Sequence, residues 1–220
     1  MLTVHHLENS RSHRIVWILE ELGVDYEIAH YERDPQTMLA PRKLRDLHFL
    51  GKAPILTDGD DAIAESGAII EYLIDNYDDG ALRPESGTPA YDQYRYWMHY
   101  AEGSAMKPLL LKTVFAELPR QGPWLAKPIL KTISKTFDRQ YLDGEMSLHM
   151  KFWEGELQQR PYFAGDEFSA ADVQMSIPLE SVIAQGASRQ EFPRIHEMVE
   201  NYRERPAYER AVERGGELNL

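Results

Sequence analysis

Two serines, Ser10 and Ser12, flank Arg11 directly ahead of an apolar stripe at helical spacing, in a chain of 220 residues that contains no cysteine. A serine hydroxyl is a poor base near neutral pH but a competent donor to an anion. Donation to a charged acceptor is worth about 1.5–3 kcal/mol. On a thiol of pKa about 8.5 that amounts to roughly one to two units, and a helix N-terminus adds to it. The chain has no sulfhydryl of its own, so a thiol held there belongs to a ligand. Ser10 is expected to make that contact, with Ser12 either a second contact or the cap of the helix.

Two further runs supply complementary chemistry. In "AESGAII" (64–70) the start of a helix offers free N–H groups and a positive dipole end to a carboxylate, Ser66 adds a hydroxyl donor, and Glu65 can face an ammonium. Together they suit the amino-acid end of a ligand, although Ser66 acting only as a helix cap satisfies the same pattern. Pro54 stands where a loop enters a strand, a position compatible with an ordinary trans edge residue or with a cis turn.

Composition excludes other chemistries. His5 and His6 are neighbours on a strand and project to opposite faces, and His99 finds Gly103 where a helical partner ligand would stand, so no metal site is expected. No phosphate-cradling glycine loop and no G-x-S-x-G elbow occurs. A formal charge of −12 opposes nucleic acid and anionic lipid. No apolar run approaches the roughly 18 residues of a membrane helix, and the N-terminus lacks a secretory pattern, so the cytoplasm is the expected location.

The elements that must position these residues alternate at first. "LTVHHL" (2–7) and "YEIAHY" (26–31) read as strands joined by a crossover helix that stops at Gly23. A short helix is expected near 40–47, then a hairpin over 53–58 and 62–64, then a helix capped by Ser66. Residues 78–89, "DDGALRPESGTP", read as a linker. Beyond it the pattern is helical throughout: a long helix over 91–118 bent near Gly103 and Pro108, another within 124–159, one at 169–184 opened by Ser169 and Asp172, and two shorter ones at 192–204 and 206–213. This predicts an α/β domain over 1–80 followed by an all-α domain over 88–220.

A βαβ unit followed by a hairpin and a helix, with Pro54 beginning the hairpin, matches the thioredoxin-like plan. In that plan the proline is cis and turns the preceding backbone toward an extended peptide. In "SRSHRIVWILEELGVDYE" (10–27), "GKAPIL" (51–56), "AESGAIIEYL" (64–73) and "YFAGDEFSAADVQMSIPL" (162–179), the chain resembles the glutathione S-transferase superfamily over nearly its whole length. "YWMHYAEGS" (96–104) is similar to a branch found in bacteria and fungi.

The resemblance implies a serine-type enzyme, because the strand that carries a thiol-contacting tyrosine in other classes here reads His5, His6, Leu7. It implies glutathione as co-substrate, with Ser10 at its sulfur, the Ala53 backbone ahead of cis Pro54 at the cysteinyl unit, and Glu65 with Ser66 at the γ-glutamyl end. Lys52 is expected near the glycine carboxylate; His48 stands where relatives often carry a glutathione-binding polar residue before a proline, though Phe49 replaces that proline here. Glu102 is expected either to reach the γ-glutamyl ammonium of a neighbouring subunit or to face solvent, and Asp172 to cap a helix. A small hydrophobic electrophile is expected above the sulfur, lined by Leu7, Asn9, Tyr96, Tyr100, Met106 and Lys107. The resemblance also implies a homodimer without metal, acting in conjugation or hydroperoxide reduction. A glutathione- or protein-binding module without turnover is the alternative on the same fold.

Overall fold

The computed structural model describes residues 1–35, 37 and 39–219. Four strands, β1 (Leu2–Leu7), β2 (Tyr26–Tyr31), β3 (Ile55–Asp58) and β4 (Asp61–Ala64), form one sheet in the order β2-β1-β3-β4. β1 and β2 are parallel, Leu2 opposite Tyr26, whereas β3 runs antiparallel to both β1 and β4. The parallel pair requires a crossover, and α1 (His13–Leu22) supplies it. α1 ends at Gly23, whose φ of 63° is the left-handed turn that a residue without Cβ adopts freely. The hairpin turns at Gly59 and leads into α3 (Ser66–Tyr77), after the single short turn of α2 (Leu44–Leu47). This is the thioredoxin-like arrangement.

The helical region comprises α4 (Pro89–Tyr100), α5 (Met106–Gln121), α6 (Lys127–Phe137), α7 (Asp143–Gln159), α8 (Ala170–Ala184), α9 (Pro193–Arg203) and α10 (Pro206–Gly215). The expected long helices are interrupted by wide turns. Residues Ala101–Ala105 form a π-helical turn between α4 and α5, and Asp138–Leu142 another between α6 and α7. Pro108 cannot supply an N–H to the carbonyl four residues back, and just before it the Met106 N–H reaches back five residues to Ala101.

Ser66 departs from expectation. It is the first residue of α3 rather than its cap; Glu65 occupies the cap position with φ of 73°. Asp172 behaves as foreseen: Ser169 and Asp172 exchange capping hydrogen bonds, and the Asp172 carboxylate also accepts from the Phe163 N–H at 2.9 Å. Burial pushes the Asp172 carboxyl up to about 6, against four hydrogen bonds that favour its charge.

α1 joins the two regions. Trp17 is fully buried against the rings of Phe168, Tyr202 and Tyr208, and α10 lies along α1 with Arg210 and Arg214 both paired to Glu20. The first turn of α1, and with it the serine pair, is thereby held by strand and helices alike.

Candidate functional site

The β1–α1 junction brings Ser10 and Ser12 into contact. Their hydroxyl oxygens are 2.7 Å apart, the Ser10 hydroxyl lies 2.7 Å from the Leu7 carbonyl, and the Ser12 N–H donates to Ser10 Oγ at 3.2 Å. Ser12 stands at the cap position of α1, yet its side chain makes no capping bond. It turns back onto β1 instead, accepting the Leu7 N–H at 3.1 Å and meeting His6 Nδ1 at 3.0 Å. Ser12 is buried and Ser10 is partly exposed, so Ser10 is the serine a ligand can reach.

Beside this junction lies a narrow cleft of about 30 Å³, lined by Arg11, His48, Lys52, the cis Ala53–Pro54 pair, Glu65 and Ser66, with Leu50 and Ala64. The hairpin brings Pro54 and Ala64 together, because Ile55 pairs with Ala64 across β3 and β4. Two buried polar atoms on this cleft, Ser66 Oγ and His48 Nδ1, have no hydrogen-bond partner among the described residues. Ser66 opens α3, so its hydroxyl and the free N–H groups of the first turn form one donor cluster suited to a carboxylate. Lys52 and Glu65 are exposed and offer opposite charges at the rim.

Glu102 is committed within its own chain. Its carboxylate bridges Arg11 and Arg14, the latter at 2.7 Å, and Arg14 also donates to Gln174 at 2.8 Å. Burial opposes the charge on Glu102, and the guanidiniums of Arg14 and Arg11 outweigh it, holding the carboxyl below its ordinary range. Arg14 is fully buried and drawn down to about 10 by desolvation, still cationic at neutral pH. Sequence reasoning passed over Arg11 and Arg14. The signal was an arginine, Arg14, entering an apolar helical stripe, a placement that requires a buried acidic partner.

Of the expected second-substrate residues, Leu7 bonds both serines through its backbone, whereas the two tyrosines meet other neighbours. Tyr100 meets His149 and accepts from Trp153 Nε1 at 3.0 Å, and Tyr96 stacks on Tyr100 and packs edge-on against Phe152; His149, Phe152 and Trp153 all belong to α7. Helical geometry accounts for this: Tyr100 and Glu102 lie two residues apart, on opposing sides of the rod, and Glu102 faces α1. Tyr96 and Tyr100 instead line a separate open cavity of about 510 Å³ with Asp92, Arg95, His99 and Ser104. Leu7 is buried, Met106 packs on the core, Lys107 is exposed, and Asn9 accepts the Asn219 N–H at 2.9 Å. Among the described residues no group of three or more histidines and carboxylates stands close enough to hold a metal ion.

Residues 1–75 match the family model of the glutathione S-transferase N-terminal domain. The chain is 34% identical to "Glutathione S-transferase 3" of Schizosaccharomyces pombe, over 97% of this chain and 88% of that protein. Among solved structures it superimposes on a glutathione S-transferase of Actinobacillus pleuropneumoniae with a TM-score of 0.83 and 34% identity, covering 100% of this chain and 95% of that one. A glutathione transferase homologue from Sulfitobacter with bound glutathione shares the fold, with a TM-score of 0.79, 19% identity, and 99% coverage of both chains.

Proposed function

The chain belongs to the glutathione S-transferase family, and from that premise we propose that it binds glutathione in the cleft beside Arg11 and ionises its thiol at Ser10. The observation that carries this reading is one cleft lined by both cis Ala53–Pro54 and the start of α3, where the buried Ser66 hydroxyl has no partner among the described residues. A tripeptide lying along it would pair its cysteinyl backbone with Ala53. Its γ-glutamyl carboxylate would take the Ser66 hydroxyl and the α3 N–H groups, and its ammonium Glu65. Lys52 and His48 suit the glycine carboxylate.

Ser10 then donates to the sulfur as it becomes anionic, and the thiolate is held against an electrophile or a hydroperoxide. The electrophile is met from the open side of Ser10, away from Tyr96 and Tyr100. The functional unit is a homodimer in the cytoplasm, each chain divided into units 1–80 and 88–220. Phe49, 91% exposed, is an apolar side chain of the kind a second copy would cover. Among the described residues no helix is long and apolar enough to cross a membrane.

Calorimetric titration with glutathione, followed by turnover assays with a chlorodinitrobenzene-type electrophile and an organic hydroperoxide, tests the reading. Binding and turnover with at least one are expected. Binding without either would assign the chain as a non-catalytic module, and absence of binding would remove the site.

A further inference from the structure

Behind the serine pair stands a third group that the glutathione reading leaves unused. His6, on β1, is 3% exposed, and its Nδ1 lies 3.0 Å from Ser12 Oγ, which in turn lies 2.7 Å from Ser10 Oγ. Of these three side chains only Ser10 is open to a ligand. On the far side of the imidazole the chain passes at Gly215, at the end of α10, where a Cβ would sit 3.6 Å from Nε2. No side chain fills that position, and the Gly215 carbonyl favours a proton on the ring.

We infer that His6 is a positioning residue that takes up the thiol proton of glutathione through Ser12 and Ser10. The inference rests on the reading of Ser10 as the thiol contact. In the resting state the neutral ring keeps its hydrogen on Nε2, toward Gly215, and Nδ1 accepts the Ser12 hydroxyl hydrogen. Ser12 Oγ already accepts the Leu7 N–H and can accept the Ser10 hydroxyl hydrogen as well. The Leu7 carbonyl also draws both hydroxyl hydrogens, at 2.7 Å from Ser10 Oγ and 3.1 Å from Ser12 Oγ; when both turn from it along the line, Ser10 Oγ presents a lone pair to an incoming S–H.

Ionisation moves one proton along the line. The S–H bond breaks as Ser10 Oγ gains that hydrogen, Ser10 passes its own to Ser12, and Ser12 passes its own to His6 Nδ1. The products are a thiolate and an imidazolium, so net charge is unchanged, and every hydrogen bond has reversed to point at the sulfur. When the thiolate is consumed by the electrophile, the proton returns along the same path and leaves to water. A serine alone cannot act as base at neutral pH, and the relay supplies one.

Groups on each packed element face the ring. His30 on β2 meets it edge-on at 5.7 Å between centroids, and His13 on α1 shares its electrostatic environment. From α1 the Ser12 backbone, and from α10 the Gly215 carbonyl, favour the protonated ring; burial and His30 oppose it. Burial and His30 keep His6 neutral at rest, the form the relay requires of an acceptor, and they oppose the imidazolium, which forms only with the thiolate charge at the other end of the line to offset them.

The test pairs two readouts on the full chain: the pH titration of bound glutathione thiolate by its ultraviolet absorbance, and proton release into a weakly buffered indicator on glutathione binding. In the native protein, thiolate should form with clearly less than one proton released per thiolate. His6→Asn keeps an acceptor for Ser12 but cannot hold a charge. It should bind glutathione with similar affinity, shift the thiolate titration to higher pH by about one unit, and lower kcat/KM near neutral pH by about tenfold. One proton released per thiolate in the native protein, or a His6→Asn titration superimposed on the native one, would overturn the relay. The native measurement stands even where the variant does not fold. A shift with His6→Asn but none with Ser10→Ala would overturn the Ser10 assignment and the relay through it. No shift in either, with turnover intact, would remove both.

Discussion

Arg14 and Glu102 are 88 residues apart in the chain and 2.7 Å apart in space. The pair ties the first turn of α1 to the wide turn after α4, directly beneath the junction that carries Ser10. Arg11 reaches the same carboxylate from the β1–α1 loop and Gln174 of α8 accepts from Arg14, so loop, crossover helix and helical region meet in one cluster. The site is therefore braced by a charge cluster within one chain, whatever a neighbouring subunit adds.

Replacing Glu102 with Ala leaves a fully buried cation with Gln174 as its remaining partner. The expected cost is about 3 kcal/mol, the lower end for breaking a buried pair, because one hydrogen bond survives. Replacing Arg14 and Glu102 together by Leu should cost less than Glu102→Ala alone. Urea midpoints of the variants measure this, and equal losses would remove the pair from the stability of the fold.

Ser10→Ala should raise the pKa of bound glutathione more than Ser12→Ala, because only Ser10 is open to the ligand. Ser12→Ala should cost more in stability, since the buried Leu7 N–H then loses its side-chain acceptor. Thiolate titrations and thermal denaturation of both variants separate the two effects. Coincident thiolate curves would refute the ranking.

Asp172→Ala leaves the buried N–H groups of Phe163 and Ser169 without acceptors, at about 1–3 kcal/mol each. Glutathione affinity of the fraction that remains folded should be unchanged, since Asp172 lies outside the cleft. A denaturation curve and a calorimetric titration on the same sample check both parts.

Acid should weaken the fold through His13. Burial lowers this histidine from 6.5 to about 4, and its Nε2 has no partner among the described residues. The unfolded chain binds the proton first as pH falls, so stability is lost between about 6.5 and about 4, amounting to about 3 kcal/mol at the end of that window. His13→Leu should flatten the decline. His5 and His6, also held down by burial, leave a residual slope of the same sign. Urea titrations at several pH values across the window read the slope, and an unchanged slope in His13→Leu would assign it elsewhere.

Strand periodicity, Gly23, Pro54 and the S-x-x-D cap made most of the elements legible, because each depends on backbone geometry within a few residues. Ala53, Pro54, Glu65 and Ser66 could be singled out from the sequence for the same reason: they sit at the ends of such elements. The aromatic face of α4 was not legible. Tyr96 and Tyr100 carried the composition of a substrate pocket, but which neighbour a helix face meets depends on rotation about the rod, and the π turn at 101–105 alters that rotation.

The sequence by itself determined the order of strands and helices, the absence of an internal thiol, and the small set of junction residues able to serve a borrowed one, since all of these follow from residue type and short-range spacing. Only the tertiary structure decided that Glu102 closes on Arg14, that Tyr100 turns to α7, and that His6 stands behind Ser12 with Gly215 against its ring. These contacts join residues many positions apart, and close packing across the sheet and helices, which no local pattern encodes, sets their distances.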